Sequence, residues 1–187
     1  MAASRTVNSR IPTTAAWRYG TPAIVLHWLL AALIAGTVTL GWYMMTIEKQ
    51  PQGPWYFDLH RSIGLVVAAL VILRVLWRST HGPAPLPASL PRWQLQASSV
   101  IHWLLYVCMV VMPITGILGA EYDRSGLKFF GLALPTWSAP NRELSHLFFN
   151  IHSFTVWILV GLVVLHAAAG LKHLLVERDA VFQRMWF

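Results

Sequence analysis

The stretch "IHSFTVWILVGLVVLHAAAGLKH", Ile151 to His173, decides how this chain is read. From Phe149 to Leu171 there is no acidic or basic side chain, yet the run holds two imidazoles, His152 and His166. A run of this length spans the roughly 30 Å hydrocarbon core of a bilayer as a helix. The interval from His152 to His166 corresponds to about 21 Å of rise and falls roughly 40° short of four full turns, so both rings project from nearly one face. Ionisable residues within spanning helices are rare and usually face the bundle interior at a functional site. This segment therefore reads as a bundle helix that displays one histidine at each of two membrane depths.

The rest of the chain agrees. Of 187 residues, 56% are hydrophobic and only 11% charged, a composition far from that of a soluble domain. Three more membrane-length runs precede the first: Ile24 to Met45, Leu59 to Trp77 and Val100 to Ala120. Pro51, Gly53 and Pro54 punctuate the first connection, and the prolines of "STHGPAPLPASLPRWQ" forbid a continuous helix through the second. The third, Glu121 to His146, is the longest and is expected to form a small surface cap. The first apolar run is too long for a signal-peptide core and follows an arginine-bearing segment, so residues 1–20 read as a retained tail. Cys108 is the single cysteine, which excludes a disulfide framework and a thiolate metal cluster. The net charge of +7 is read as a report of membrane orientation, and no nucleic-acid partner is expected.

Basic residues set the direction. Arg5, Arg10, Arg18, Arg74, Arg78, Arg92, Lys172, Arg178 and Arg184 lie on the side of the termini, against Lys49, Arg61, Arg124, Lys128 and Arg142 on the other. The positive-inside rule then puts both termini in the cytoplasm. His27 and His166 come level near the cytoplasmic side, and His60 and His152 near the outer side. Zinc fits poorly, because no Cys, Asp or Glu clusters beside either pair. Haem held between two histidines fits, since it needs one imidazole on each face of the porphyrin, and facing helices supply that. The absence of a C-x-x-C-H motif means that any haem is bound non-covalently. The expected fold is all-α: an integral membrane four-helix bundle with two b-type haems stacked across the bilayer and both termini cytoplasmic. One domain, 21–176, lies between a cytoplasmic N-terminal tail, 1–20, and a cytoplasmic C-terminal tail, 177–187.

The "LHW" opening the first run, "LHRSIG" and "LRVLWR" in the second, "MPITG" in the third and "NIHS" with "LHAAAGLKH" in the fourth resemble the bacterial cytochrome b561 family, from Tyr19 to the C-terminus. The resemblance implies a di-haem protein of the inner membrane, with superoxide oxidase, a superoxide:ubiquinone oxidoreductase, as its best-understood type. It implies axial ligands at His27 and His166 for the cytoplasmic-side haem, and at His60 and His152 for the outer one, in agreement with the depth argument. It further implies that His173 contributes to a ubiquinone pocket.

His102 lies at cytoplasmic depth and competes with His27 or His166 as a ligand. Arg74 and Arg78, four apart near the inner end of the second run, and Arg61 beside His60 are candidates for haem propionate contacts. The expected activity is electron transfer across the inner membrane from periplasmic superoxide to ubiquinone. The outer side has as many acidic as basic residues, which argues against steering of an anion. This keeps a second reading open: a membrane-anchoring cytochrome b subunit passing electrons between quinone and a hydrogenase, dehydrogenase or soluble cytochrome. Expected partners are the lipid bilayer, ubiquinone, and superoxide or a redox protein.

Overall fold

A computed structural model of the chain describes residues 18–82 and 90–187. Arg5 and Arg10, most of the expected N-terminal tail and the centre of the proline-rich connection lie outside the described residues. Four helices carry the fold: α1 (Thr21–Thr46), α2 (Gly53–Thr80), α3 (Arg92–Glu121) and α4 (Arg142–Lys172). Each contains one of the expected apolar runs and extends beyond it. Local chemistry accounts for the extensions. α2 begins at Gly53 because Pro54 sits in the first turn, where its missing N–H is no loss. α3 begins after Pro91. α4 begins well before Phe149 because the side chain of Asn141 accepts a hydrogen bond from Leu144 N at 3.1 Å, and Glu143 lies in the first turn.

All four helices are long and apolar enough to cross a membrane, and in each only 11% to 17% of the most apolar stretch is buried inside the protein. Leu29, Ile72, Leu76, Trp103, Phe154, Trp157 and Val164 are among the large apolar side chains on the outside. That surface is the one a lipid solvent favours and water does not. Hydroxyls within the apolar spans close on their own helices: Thr37 donates to Leu33 O at 2.7 Å, Thr115 to Val111 O at 2.8 Å and Thr155 to Ile151 O at 2.7 Å. A hydrocarbon environment requires such internal satisfaction.

α1 packs on α2, α2 on α3, and α3 most extensively on α4. The last contact is close because Gly119 faces Phe149, where even a Cβ would come within 2.7 Å of the ring, and the Ser145 hydroxyl donates to Gly119 O at 2.9 Å.

The long connection between α3 and α4 forms the expected cap, and it includes a small hairpin. Strands β1 (Lys128–Phe129) and β2 (Leu132–Ala133) pair antiparallel across Phe130 and Gly131, whose φ values are 47° and 90°. Positive φ at both central residues is the requirement of a type I′ turn. Ser62 of α2 is fully buried beneath this hairpin and its oxygen accepts from Phe130 N at 2.9 Å. Lys128 Nζ reaches Asp58 at 2.8 Å. Glu121, 1% exposed at the end of α3, accepts through Oε1 from Trp137 N at 2.7 Å, Ser138 N at 2.9 Å and the Ser138 hydroxyl at 3.1 Å.

At the opposite end the C-terminal segment folds back over the start of α1. Trp28 Nε1 donates to Met185 O at 2.7 Å, Tyr19 N to Arg184 O at 3.2 Å, and Arg18 to Trp186 O at 2.6 Å. The bundle thus has a capped face and a face where both ends of the described chain meet.

In the cap, burial opposes ionisation of Asp123, but the Ser125 hydroxyl and amide and the Arg61 guanidinium outweigh it and hold the carboxyl below its ordinary value of 3.8. A depressed acid stabilises the folded state above its unfolded pKa and loses that contribution as pH falls through the folded one. The unfolding midpoint in detergent should therefore exceed that of Asp123→Asn by a constant amount above about pH 4, with the gap closing at lower pH. A gap that widens on acidification would contradict this.

Candidate functional site

The fold brings the four histidines together two by two. Near the capped face, His60 of α2 and His152 of α4 have ring centres 6.3 Å apart, with planes inclined at 79°. Toward the other face, His27 of α1 and His166 of α4 are 6.1 Å apart at 75°. One helix supplies a ring to each pair, as its repeat requires.

Glycine makes room for both rings of the upper pair. A Cβ at Gly41 of α1 would stand 3.1 Å from His60 Cε1, and one at Gly116 of α3 would stand 3.2 Å from His152 Cε1. His152 Nδ1 lies 2.9 Å from Met112 O. A carbonyl only accepts, so Nδ1 carries the hydrogen and Nε2 keeps its lone pair for a metal. His60 has a buried Nδ1 without a hydrogen-bond partner among the described residues.

These features test whether haem fits. An imidazole nitrogen binds a first-row metal at about 2 Å, and the ring centre lies roughly 1 Å further, so two rings on opposite sides of one iron have centres about 6 Å apart. Both pairs meet that distance. His102 of α3 stands closer to His166, with centres 5.2 Å apart at 72°, which is short for two ligands across one iron. The Ser98 hydroxyl lies 3.3 Å from His102 Nδ1, giving that ring a polar neighbour on its own helix. The spacings of the two pairs therefore suit b-type haem better than the spacing of His102 to His166 does.

The arginines divide. Arg74 donates to Ala23 O at 3.3 Å and approaches His27 Nδ1 at 3.4 Å, bridging α2 to α1 at the level of the lower pair. Arg78 lies in the last turn of α2, within electrostatic range of His102. Arg61 is committed to the cap, donating to Ser125 Oγ at 2.8 Å, Gly126 O at 3.1 Å and Asp123 at 3.4 Å, with Asp58 at 3.8 Å. Lys128 shares Asp58. Two of the cations expected on the capped face are thus clustered but matched by carboxylates. Arg142 lines a separate surface hollow with Glu143, His146, Leu147 and Asn150.

His173 opens a π-helical turn, His173–Glu177, that continues α4. Its Nδ1 lies 2.7 Å from both Glu177 Oε2 and Asp179 Oδ2. Glu177 stands four residues after His173, at helical spacing, whereas Asp179 lies six residues on; the π turn and the left-handed Arg178, φ 52°, bring it to the same nitrogen.

Comparison with known proteins agrees with this architecture. Residues 18–187 match the family model described as prokaryotic cytochrome b561. Cytochrome b561 homolog 2 of Escherichia coli K12 is 31% identical over 173 residues, covering 90% of each chain. Cytochrome b561 homolog 1 of the same organism is 27% identical over 178 residues, covering 90% of this chain and 96% of its own. A probable superoxide oxidase, CybB, of Yersinia pestis is 25% identical over 171 residues, covering 90% and 95%. Proteins of this family bind b-type haem, and the chain, a four-helix membrane protein with two histidine pairs, belongs to the prokaryotic cytochrome b561 family.

Proposed function

We propose that this protein is an oxidoreductase of the bacterial inner membrane that carries two b-type haems and moves electrons from superoxide outside to ubiquinone near the cytoplasmic side. The observation that carries the reading is the pair of bis-imidazole spacings, 6.1 and 6.3 Å, at opposite ends of one bundle. His27 and His166 hold one haem, and His60 and His152 the other. When bound, the haems supply one-electron exchange at two membrane depths. Over a full cycle two superoxide anions become two dioxygen molecules, while one quinone and two protons become quinol.

The chain's own residues do the rest. Gly41 and Gly116 admit the rings, and Met112 O orients His152. Arg74 and Arg78 are the candidate propionate partners for the inner haem, and Arg61, anchored by Asp58 and Asp123, is the candidate at the outer one. His173 engages two carboxylates through Nδ1, which leaves Nε2 to hydrogen-bond a quinone carbonyl and to hand over a cytoplasmic proton. In this reading residues 21–176 form the di-haem domain and the flanking tails are cytoplasmic, in accord with the excess of basic residues on that side. The name of the Yersinia pestis relative supports superoxide as donor.

The ion pairing of Arg61 and Lys128 favours keeping a second reading. With Arg61 and Lys128 matched by Asp58 and Asp123, these two cations focus little field on a small anion. A protein donor, with this chain as a membrane-anchoring subunit of a hydrogenase, dehydrogenase or cytochrome chain, needs no such field.

Two measurements test the proposal. Haem quantified per chain should fall from two to one in His152→Ala, with the lower haem retained, and in His27→Ala, with the upper one retained; equal loss of both in either variant would break the pairing. Superoxide generated in the cuvette should reduce the haem bands of the purified protein within the mixing time, and superoxide dismutase should abolish the effect. Bands that respond to dithionite but not to superoxide would favour the partner-linked subunit, which should then co-purify with its partner in fixed ratio.

A further inference from the structure

We propose that His173, Glu177 and Asp179 form a binding site for one divalent transition-metal ion of the zinc class, separate from both haem pairs. Three donor atoms, one from each residue, lie within 4.8 Å of one another. His173 Nδ1 faces Glu177 Oε2 and Asp179 Oδ2 at 2.7 Å each. One nitrogen carries at most one hydrogen, and one hydrogen makes one well-aligned bond, so the second oxygen is left without a matched donor. An ion among the three atoms satisfies them all.

The remaining oxygens are already held, as those of metal-binding carboxylates are. Glu177 Oε1 accepts from Lys172 Nζ at 2.7 Å and from Gln94 Nε2 at 3.2 Å. Asp179 Oδ1 accepts from Val181 N at 2.9 Å. Each carboxylate thus turns its other oxygen toward the imidazole with its orientation fixed. The backbone supports the same arrangement: Arg178 N and Asp179 N both donate to His173 O, the latter at 3.2 Å, closing the turn that brings the acids round. Gln94, whose Nε2 donates to Glu177, has a buried Oε1 with no hydrogen-bond partner among the described residues.

The donor set selects the ion. Zinc binds imidazole nitrogen and carboxylate oxygen at about 2.0–2.2 Å and accepts three protein ligands plus water. The two present 2.7 Å contacts need to open by only about 0.7 Å to surround it tetrahedrally at those bond lengths. Magnesium and calcium prefer oxygen alone and gain little from the imidazole. Lys172 offsets one of the two carboxylate charges and leaves the other to attract the cation.

The test uses the full-length, haem-loaded protein in detergent, purified without a histidine tag and freed of metal by chelation, then titrated with Zn2+ against a chromophoric zinc indicator. We expect one Zn2+ per chain that millimolar Mg2+ does not displace. Glu177→Gln and Asp179→Asn should each weaken binding by at least about tenfold. An unchanged haem spectrum in each variant certifies its fold, and His173→Ala supplies a third, independent removal of a ligand. No Zn2+ bound per chain, or Zn2+ binding unchanged in Glu177→Gln and Asp179→Asn, would overturn the site and leave an ion-pair cluster only.

Discussion

The helical repeat of α4 is the constraint on which the rest depends. His152 and His166 sit on one rigid rod at a separation that returns nearly to the same face, so neither can move without the other. The remaining helices are arranged to meet that face: α2 brings His60 to one end and α1 brings His27 to the other. In a bilayer no water completes an unpaired ring, and this raises the value of each such meeting.

Close helix approach makes the meeting possible. Gly116, Gly119 and Ser145 let α3 lie against α4, and the same approach puts Met112 O where it can accept from His152. The Met112 contact to His152 therefore follows from helix packing and not from a dedicated loop. At the capped face the chain invests buried polar groups instead. Ser62 and Glu121 tie the hairpin and the segment before α4 onto the bundle, and Arg61 and Lys128 add an ion-pair network around Asp58. The capped end is thus tied by buried polar groups, while the other end is closed by the returning C-terminal segment.

Much of this could be read before the coordinates. The apolar runs gave the four spans because length and composition alone make a helix in lipid, and the depths of His27, His60, His152 and His166 followed from chain direction. Helix starts were less legible: Asn141 and Pro54 act through capping geometry that a hydropathy run does not contain. Arg61 adjoins His60 in sequence, yet its side chain runs to Asp123 and Ser125 across the cap, a tertiary contact with no local signature. Glu121, the first residue of the expected surface cap, is buried. Glu177 is four residues from His173 and was legible as its partner, whereas Asp179, six residues on, is brought round by a π turn that helical spacing does not anticipate.

Two haems, each of which would lie between nearly perpendicular imidazoles, are the core of the proposed function. Low-temperature electron paramagnetic resonance of the oxidised protein tests this most directly, since ring-plane angle governs the anisotropy of a low-spin ferric signal. Planes inclined at 75° and 79° predict two strongly anisotropic low-spin signals and no high-spin iron. A single low-spin signal, or a substantial high-spin one from a haem with only one histidine, would contradict it.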